Sequence, residues 1–300
     1  MILSDPVQAL VSINLILTLS LLFPFVAGVW SLGLPGFMAV GAYTAAWCST
    51  NMGLPITASL AIGVVASAAI SIPFGLLALR IHGIYLAIAT LAAAELITLF
   101  FSHFEPTGGV MGFAGIPYID AYWAVIAAAL MFLLSLLIYR SRFGKALFAV
   151  GSDPIVANCN GLNVPMLQML ALAIGAGLAG LAGGLFSHYY SFISPSNFQF
   201  SRTVDILLFL VAGGLTPLGS LVGSFTLTLV PQLSSALETW APALYAVVVI
   251  VLMAFMPGGI FPKNRVAPLI AYIKSHRKPR DSVQSQRKPA AAPQLDVTKN

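Results

Sequence analysis

The sequence predicts an all-α, polytopic membrane helical bundle of about eight to ten transmembrane helices, with interrupted or re-entrant segments among them. Three observations predict it. Hydrophobic residues make up 59% of the 300 and charged residues only 8%, where soluble domains are about a quarter charged. Mean hydropathy is +0.94. The apolar residues also fall into separate runs, roughly 7–30, 36–50, 55–79, 83–101, 119–139, 166–190, 203–213, 218–236 and 243–256. A helix satisfies its own backbone within hydrocarbon and needs about 20 residues to cross it. The runs at 36–50, 203–213 and 243–256 are short, and are read as half-helices or as spans extending past the run.

The opening stretch MILSDPVQALVSIN lacks the basic start of a secretory signal and carries Asp5, so the first run is expected to be retained as a span. Cys48 lies in an apolar run and Cys159 in a polar loop, which suits small filler residues rather than a disulfide or a metal site. The second run carries Gly33, Pro35, Gly36 and Gly41 with Tyr43 beside them, and the later VAGGLTPLGSLVGS carries Gly213, Gly214, Pro217, Gly219 and Gly223. Paired interruptions at membrane depth point to a translocation path. Close helix packing through glycine is an equal alternative.

Glu95 stands deep in the fourth run, where a carboxylate is costly and must face the bundle interior, pair or be protonated. It is either a transport group or a helix-packing hydrogen bond. The loop after it, SHFEPTGGVMGFAGIP, is rich in glycine. His188, Tyr189 and Tyr190 read as an aromatic belt at a helix end. Arg202 and Asp205, three apart, read as a local surface pair. Both they and Glu238 are candidates to receive a docking protein at the outer face.

The long polar interruption is 140–165, YRSRFGKALFAVGSDPIVANCNGLNVP in context, followed by a helix bearing Gly175, Gly177, Gly180, Gly183 and Gly184. Phe143, Leu147, Phe148 and Val150 between Arg142, Lys145 and Asp153 make a short amphipathic element. Such an element fits a hydrophobic groove with a charged rim, or lies on the membrane surface. If this loop is cytoplasmic, alternation puts Arg80, the turn near Thr216 and the C-terminal tail on the same side, and of the basic residues only Arg202 opposes it.

The formal net charge is +5, but Lys263, Arg265, Lys274, Arg277, Lys278, Arg280, Arg287, Lys288 and Lys299 all follow the last apolar run. That is a basic tail beside a membrane domain, not a nucleic-acid-binding face. The chain therefore divides into a membrane domain, 1–261, and a tail, 262–300, expected to be disordered, cytoplasmic and drawn to anionic lipid. No phosphate-binding loop is present, since Tyr139 stands where the first glycine before Gly144 and Lys145 would be. Nor is there an HExxH, a paired-cysteine or a Gly-x-Ser-x-Gly motif, so no enzymatic activity and no metal site is expected.

Arg142, Phe143, Gly144, Lys145, Ala146, Leu147 and Ala149, then Ala157, Gly161, Leu162 and Asn163, then Ala179 to Gly183 give the chain its family likeness. They resemble the coupling segment and following helix of the permease subunits of branched-chain-amino-acid-type ABC importers. GIYLAIATLAAAE followed by TGG, Gly112, Gly115, Ile116 and Pro117 is similar to the second of the two permeases in such importers. The resemblance covers the chain up to about Pro262.

It implies a bacterial inner-membrane permease domain, with Arg142, Phe143, Gly144, Lys145, Ala146, Leu147, Asp153, Ala157, Gly161 and Asn163 coupling it to an ATPase. It implies as partners two ATPase subunits that bind the ATP, a second homologous permease, and a soluble substrate-binding protein outside. The solute would be an amino acid, urea or an amide, or a small aromatic acid. The chain departs from the family at GSDP, 151–154, and NCN, 158–160, and Pro154 is expected to break the coupling helix or to start its second piece. The alternatives are a stand-alone secondary transporter or channel using Glu95, and a membrane scaffold recruiting partners through its tail.

Overall fold

The structure is a computed structural model and describes residues 5–78, 81 and 83–233. The ninth apolar run, the end of the eighth, the tail, Arg80 and Glu238 lie outside the described residues. The helices are α1 (Asp5–Val26), α2 (Leu34–Asn51), α3 (Ile56–Ala78), α4 (Ile84–His103), α5 (Ala121–Arg140), α6 (Arg142–Ser152), α7 (Pro154–Cys159), α8 (Val164–Tyr190), α9 (Phe200–Gly213) and α10 (Pro217–Leu233). Of these, α1, α3, α4, α5 and α8 are long and apolar enough to cross a membrane. The chain is an all-α, multi-pass membrane bundle.

Each predicted run within the described residues has its helix, and the ends move for local reasons. The first run stops at Val26 because Gly28 turns the chain at φ 77°. The second begins earlier than its apolar residues do, since Pro35 is compatible with a first helical turn. It reaches 18 residues. The α9 helix stays short at 14 residues, about 21 Å at 1.5 Å per residue, less than the hydrocarbon thickness of about 30 Å.

Packing converges on α8, which lies against α1, α2 and α3. Its small residues permit the approach. A Cβ on Gly175 would stand 2.5 Å from the Ser20 carbonyl of α1, one on Gly183 would overlap the Met38 carbonyl of α2, and one on Gly184 would stand 2.6 Å from Leu60 of α3. At the crossing of α2 and α8, Gly41 faces Gly180 so closely that a Cβ on Gly41 would overlap the Gly180 backbone. The hydroxyl of Ser67 on α3 donates to the Phe37 carbonyl of α2 at 2.9 Å.

At the end of the bundle away from 140–165, His188 of α8 is buried, not set in an aromatic belt. Its Nε2 lies 3.0 Å from the Ser49 hydroxyl of α2 and its Nδ1 2.7 Å from the Gly184 carbonyl. The glycine-rich loop after α4 forms β1 (Phe113–Ala114), which pairs antiparallel with β2 (Phe192–Ile193), Phe113 opposite Ile193. Sequence alternation could not reveal a two-residue strand pair. Gly112, at φ 87°, is required there because a Cβ would stand 2.5 Å from the Ile193 carbonyl.

From β2 the chain dips into the bundle. Phe198 is wholly buried, 5.9 Å from the ring of Tyr43, and its carbonyl accepts from Thr98 at 3.3 Å. Arg202 then reaches inward: Nη2 donates to Asn14 Oδ1 of α1 at 2.8 Å, and Asn14 Nδ2 donates to Thr228 Oγ1 of α10 at 3.0 Å. Its hydrogen bond therefore goes to the interior, not to Asp205.

Gly41→Ala should push α2 from α8 and lower stability by about 1–3 kcal/mol, the usual cost of overpacking. Gly177→Ala, whose Cβ would meet Val64 at an ordinary 3.4 Å, should be tolerated. Thermal unfolding of the two purified variants in the same detergent checks the difference.

Candidate functional site

The polar interruption folds as two helices joined by one residue. Ser141 caps α6, its hydroxyl accepting from the Gly144 amide at 3.3 Å. Asp153 ends α6 and caps α7, its Oδ1 accepting from the amides of Ile155 at 2.9 Å and Val156 at 3.0 Å. Pro154 starts the second piece, at a position where its missing N–H costs nothing. Gly161 turns the chain at φ 80°, and Asn163 caps α8, accepting from the Met166 amide at 3.1 Å.

Burial sorts the predicted coupling residues. Gly144, Leu147 and Ala157 are buried, and Phe143 and Ala146 are partly so. Gly144 is pressed against the Ile138 and Tyr139 carbonyls of α5. These residues hold the element on the bundle. Arg142, Lys145, Asp153, Gly161 and Asn163 are exposed, and with them stand the apolar side chains of Phe148, Ile155 and Val156, the last two 77% and 55% exposed. Sequence reasoning named Phe148 but passed over Ile155 and Val156. A β-branched pair straight after Asp-Pro was the available signal.

Gly151 was also missed, although it lies in the departure from the family pattern. A Cβ there would overlap the Val26 carbonyl at the end of α1 and stand 3.0 Å from the Gly28 amide. The end of α6 therefore rests directly on the corner between α1 and α2. Gln168 of α8 donates to the Ala27 carbonyl of the same corner at 3.4 Å.

In the membrane part, Gly33 opens α2 with its amide donating to Ser31 at 3.3 Å, and Pro35 follows in the first turn. Gly36 lets α2 touch α4, because a Cβ would stand 2.8 Å from the Ala94 Cα. Tyr43 is buried and stacked on Phe101 with ring centroids 4.2 Å apart, its hydroxyl without a hydrogen-bond partner among the described residues. Gly213 and Gly219 close the hairpin of α9 and α10 by mutual backbone contact, with Gly214 between them at φ 102°. That hairpin lies at the 140–165 end, where the Tyr139 hydroxyl donates to the Leu215 carbonyl at 3.5 Å. The structure brings Gly36 next to the residue before Glu95, and the close approaches of the two glycine clusters do not join them.

Glu95 departs from expectation. Of the three options its cost in lipid left open, facing the bundle interior, pairing or protonation, the first does not hold: it is exposed on α4, on a face it shares with Leu96, Leu99 and Phe100, 66%, 54% and 59% exposed. The interior side of α4 is taken by the small residues Thr90, Ala94 and Thr98. A carboxylate near mid-span on an uncovered face cannot be left to hydrocarbon.

The model of the family described as branched-chain amino acid transport system, permease component, matches residues 6–257. Among curated proteins, the chain is 27% identical over 276 residues to the high-affinity branched-chain amino acid transport system permease protein LivM of Escherichia coli, covering 80% of this chain and 65% of that protein. It is 29% identical over 157 residues to the corresponding LivH of the same organism, 51% of this chain and 50% of LivH. It is 25% identical over 295 residues to the guanosine ABC transporter permease protein NupQ of Bacillus subtilis, 84% of this chain and 90% of that one. The match thus spans about two thirds of LivM and half of LivH. No solved structure matches the chain.

Asp153→Ala removes the cap that joins α6 to α7 and should destabilise α7 by about 1 kcal/mol. Hydrogen exchange should then rise at the amides of residues 155–159 while those of α8 stay protected. Unchanged exchange at 155–159 would show that packing alone holds α7.

Proposed function

The chain belongs to the branched-chain amino acid transport system permease family, and from that premise we propose that it is the membrane-spanning permease subunit of an ATP-driven importer. The observation that carries the reading is the capped two-helix element α6–α7, which presents Phe148, Ile155 and Val156 with Arg142, Lys145 and Asp153 at its rim. Apolar side chains outside the spans, ringed by charge, suit a groove on a partner ATPase. The face bearing the element is then cytoplasmic, the protein sits in a bacterial inner membrane, and ATP is bound by the partner.

The mechanical route follows from the contacts. ATP-driven closure of the partner moves α6, and α6 rests through Gly151 on the corner between α1 and α2. The α2 helix carries the displacement to α4 through Gly36 and Ala94, next to Glu95. Close-packed contacts of this kind switch between discrete arrangements rather than deforming smoothly. The path runs where Glu95 and the exposed face of α4 meet a second permease, which buries them. A stand-alone carrier would leave that carboxylate in lipid, so the importer reading is preferred.

A binding protein delivers the solute to the opposite end. LivM and LivH are named for branched-chain amino acids and NupQ for guanosine, so the family admits more than one solute class. Amino acids, urea or amides, and small aromatic acids are the candidates.

Ile155→Glu with Val156→Glu places two charges on the docking surface without touching the buried side of the loop. Membrane insertion should be unchanged, while ATPase co-purification and solute uptake fall on the order of tenfold or more, as for loss of a central apolar anchor. Full uptake at normal expression would overturn the proposed docking surface.

A further inference from the structure

Arg202 is a partly buried charge that the proposed coupling and path do not use. Among the described residues its one hydrogen bond goes to a neutral acceptor, Asn14 Oδ1 at 2.8 Å, and its buried Nε has no hydrogen-bond partner. Asp205 lies one turn along α9 and acts on Arg202 electrostatically, but no ion pair within 4 Å joins the two among the described residues. The Asn14 amide is itself oriented by Thr228, so its carbonyl is fixed toward the guanidinium. Asn14 thus positions the cation and does not neutralise it. A charge held this way is costly unless an anion completes it.

Arg202 lines a cavity of about 440 Å³, whose other walls among the described residues are Leu10, Phe186, Tyr190, Phe192 and Asn197. The volume suits a small molecule. Asn197 adds a second oriented group: its Oδ1 accepts from the Ser194 amide at 2.9 Å and the Ser194 hydroxyl at 3.0 Å. That fixes the amide plane and leaves Nδ2 as a donor. Leu10, Phe186 and Phe192 supply an apolar wall, and among the described residues no carboxylate lines the cavity. The site lies beside β2 and the end of α8, away from α6 and α7, where an entering solute would first meet the bundle.

We propose that this cavity is a solute site for small monocarboxylates with a short apolar body, the carboxylate pairing with Arg202 and the body lying on Leu10, Phe186 and Phe192. Guanidinium and carboxylate match in charge and in fork geometry. The proposal rests on the importer reading and supplies its solute class. Urea, neutral amides and nucleosides lack the group that Arg202 requires.

The test is ligand-dependent thermal stabilisation of the purified full chain in nanodiscs of neutral lipid, titrated with isovalerate, with isovaleramide of the same shape, and with inorganic phosphate. Isovalerate should stabilise saturably and isovaleramide should not. Arg202→Met should weaken isovalerate binding at least about tenfold, the range for a hydrogen bond to a charged group. Leu10→Trp, which fills the cavity without touching the Arg202–Asn14–Thr228 chain, should weaken it similarly and keeps the test open if Arg202→Met fails to fold. Equal stabilisation by acid and amide, no stabilisation by isovalerate, or stabilisation by phosphate alone would overturn the proposal. So would undiminished binding in Leu10→Trp. Co-purification of the ATPase is read separately in the same variants, so loss of the solute site and loss of the importer reading are told apart.

Discussion

The close approach of α8 to α1, α2 and α3 is the constraint on which the rest depends. Within hydrocarbon there is no gain in burying one apolar side chain against another rather than against lipid, so helices associate through the contact distance their surfaces allow. Gly175, Gly180, Gly183 and Gly184 bring the α8 backbone against its neighbours, and Gly41 answers from α2. Once that distance is set, the polar links fall within reach. Ser67 meets the Phe37 carbonyl, and His188 meets Ser49. These bonds fix the rotation of helices whose apolar surfaces alone would let them slide.

Most of the spans were legible because hydrophobic runs of membrane length leave a helix little alternative. The break of the polar loop was legible too, since Asp153 followed by Pro154 is a cap followed by a first helical residue. Orientation was not legible. The cost of Glu95 in lipid left the bundle interior as one of its options, yet which face of α4 turns inward is decided by the small residues Thr90, Ala94 and Thr98. The cost argument still holds, but among the described residues nothing covers that face of α4.

The misplaced residues share a cause. His188 beside two tyrosines looks interfacial by composition, and Arg202 near Asp205 looks like a surface pair by spacing. Both are drawn inward by partners far off in sequence, Ser49 for one and Asn14 for the other. Local pattern carries no information about such partners. Gly151 is similar: its lack of a side chain becomes meaningful only when Val26 and Gly28 are found against it.

Those long-range contacts place both ends of the protein on one helix. The corner after α1, at Val26 and Gly28, receives the end of α6, while Leu10 and Asn14 of α1 stand at the opposite half beside Arg202. Between them α1 is almost continuously buried, from Ser12 through Pro24. A buried helix gripped along its length shifts as a body, because bending it would open voids or break backbone bonds on every side. Under the proposed coupling, force applied at α6 would reach the guanidinium through α1 without a relay of side chains. On the proposed reading, an anionic solute at Arg202 and an ATPase at α6 would therefore act on one displacement of α1 from opposite sides.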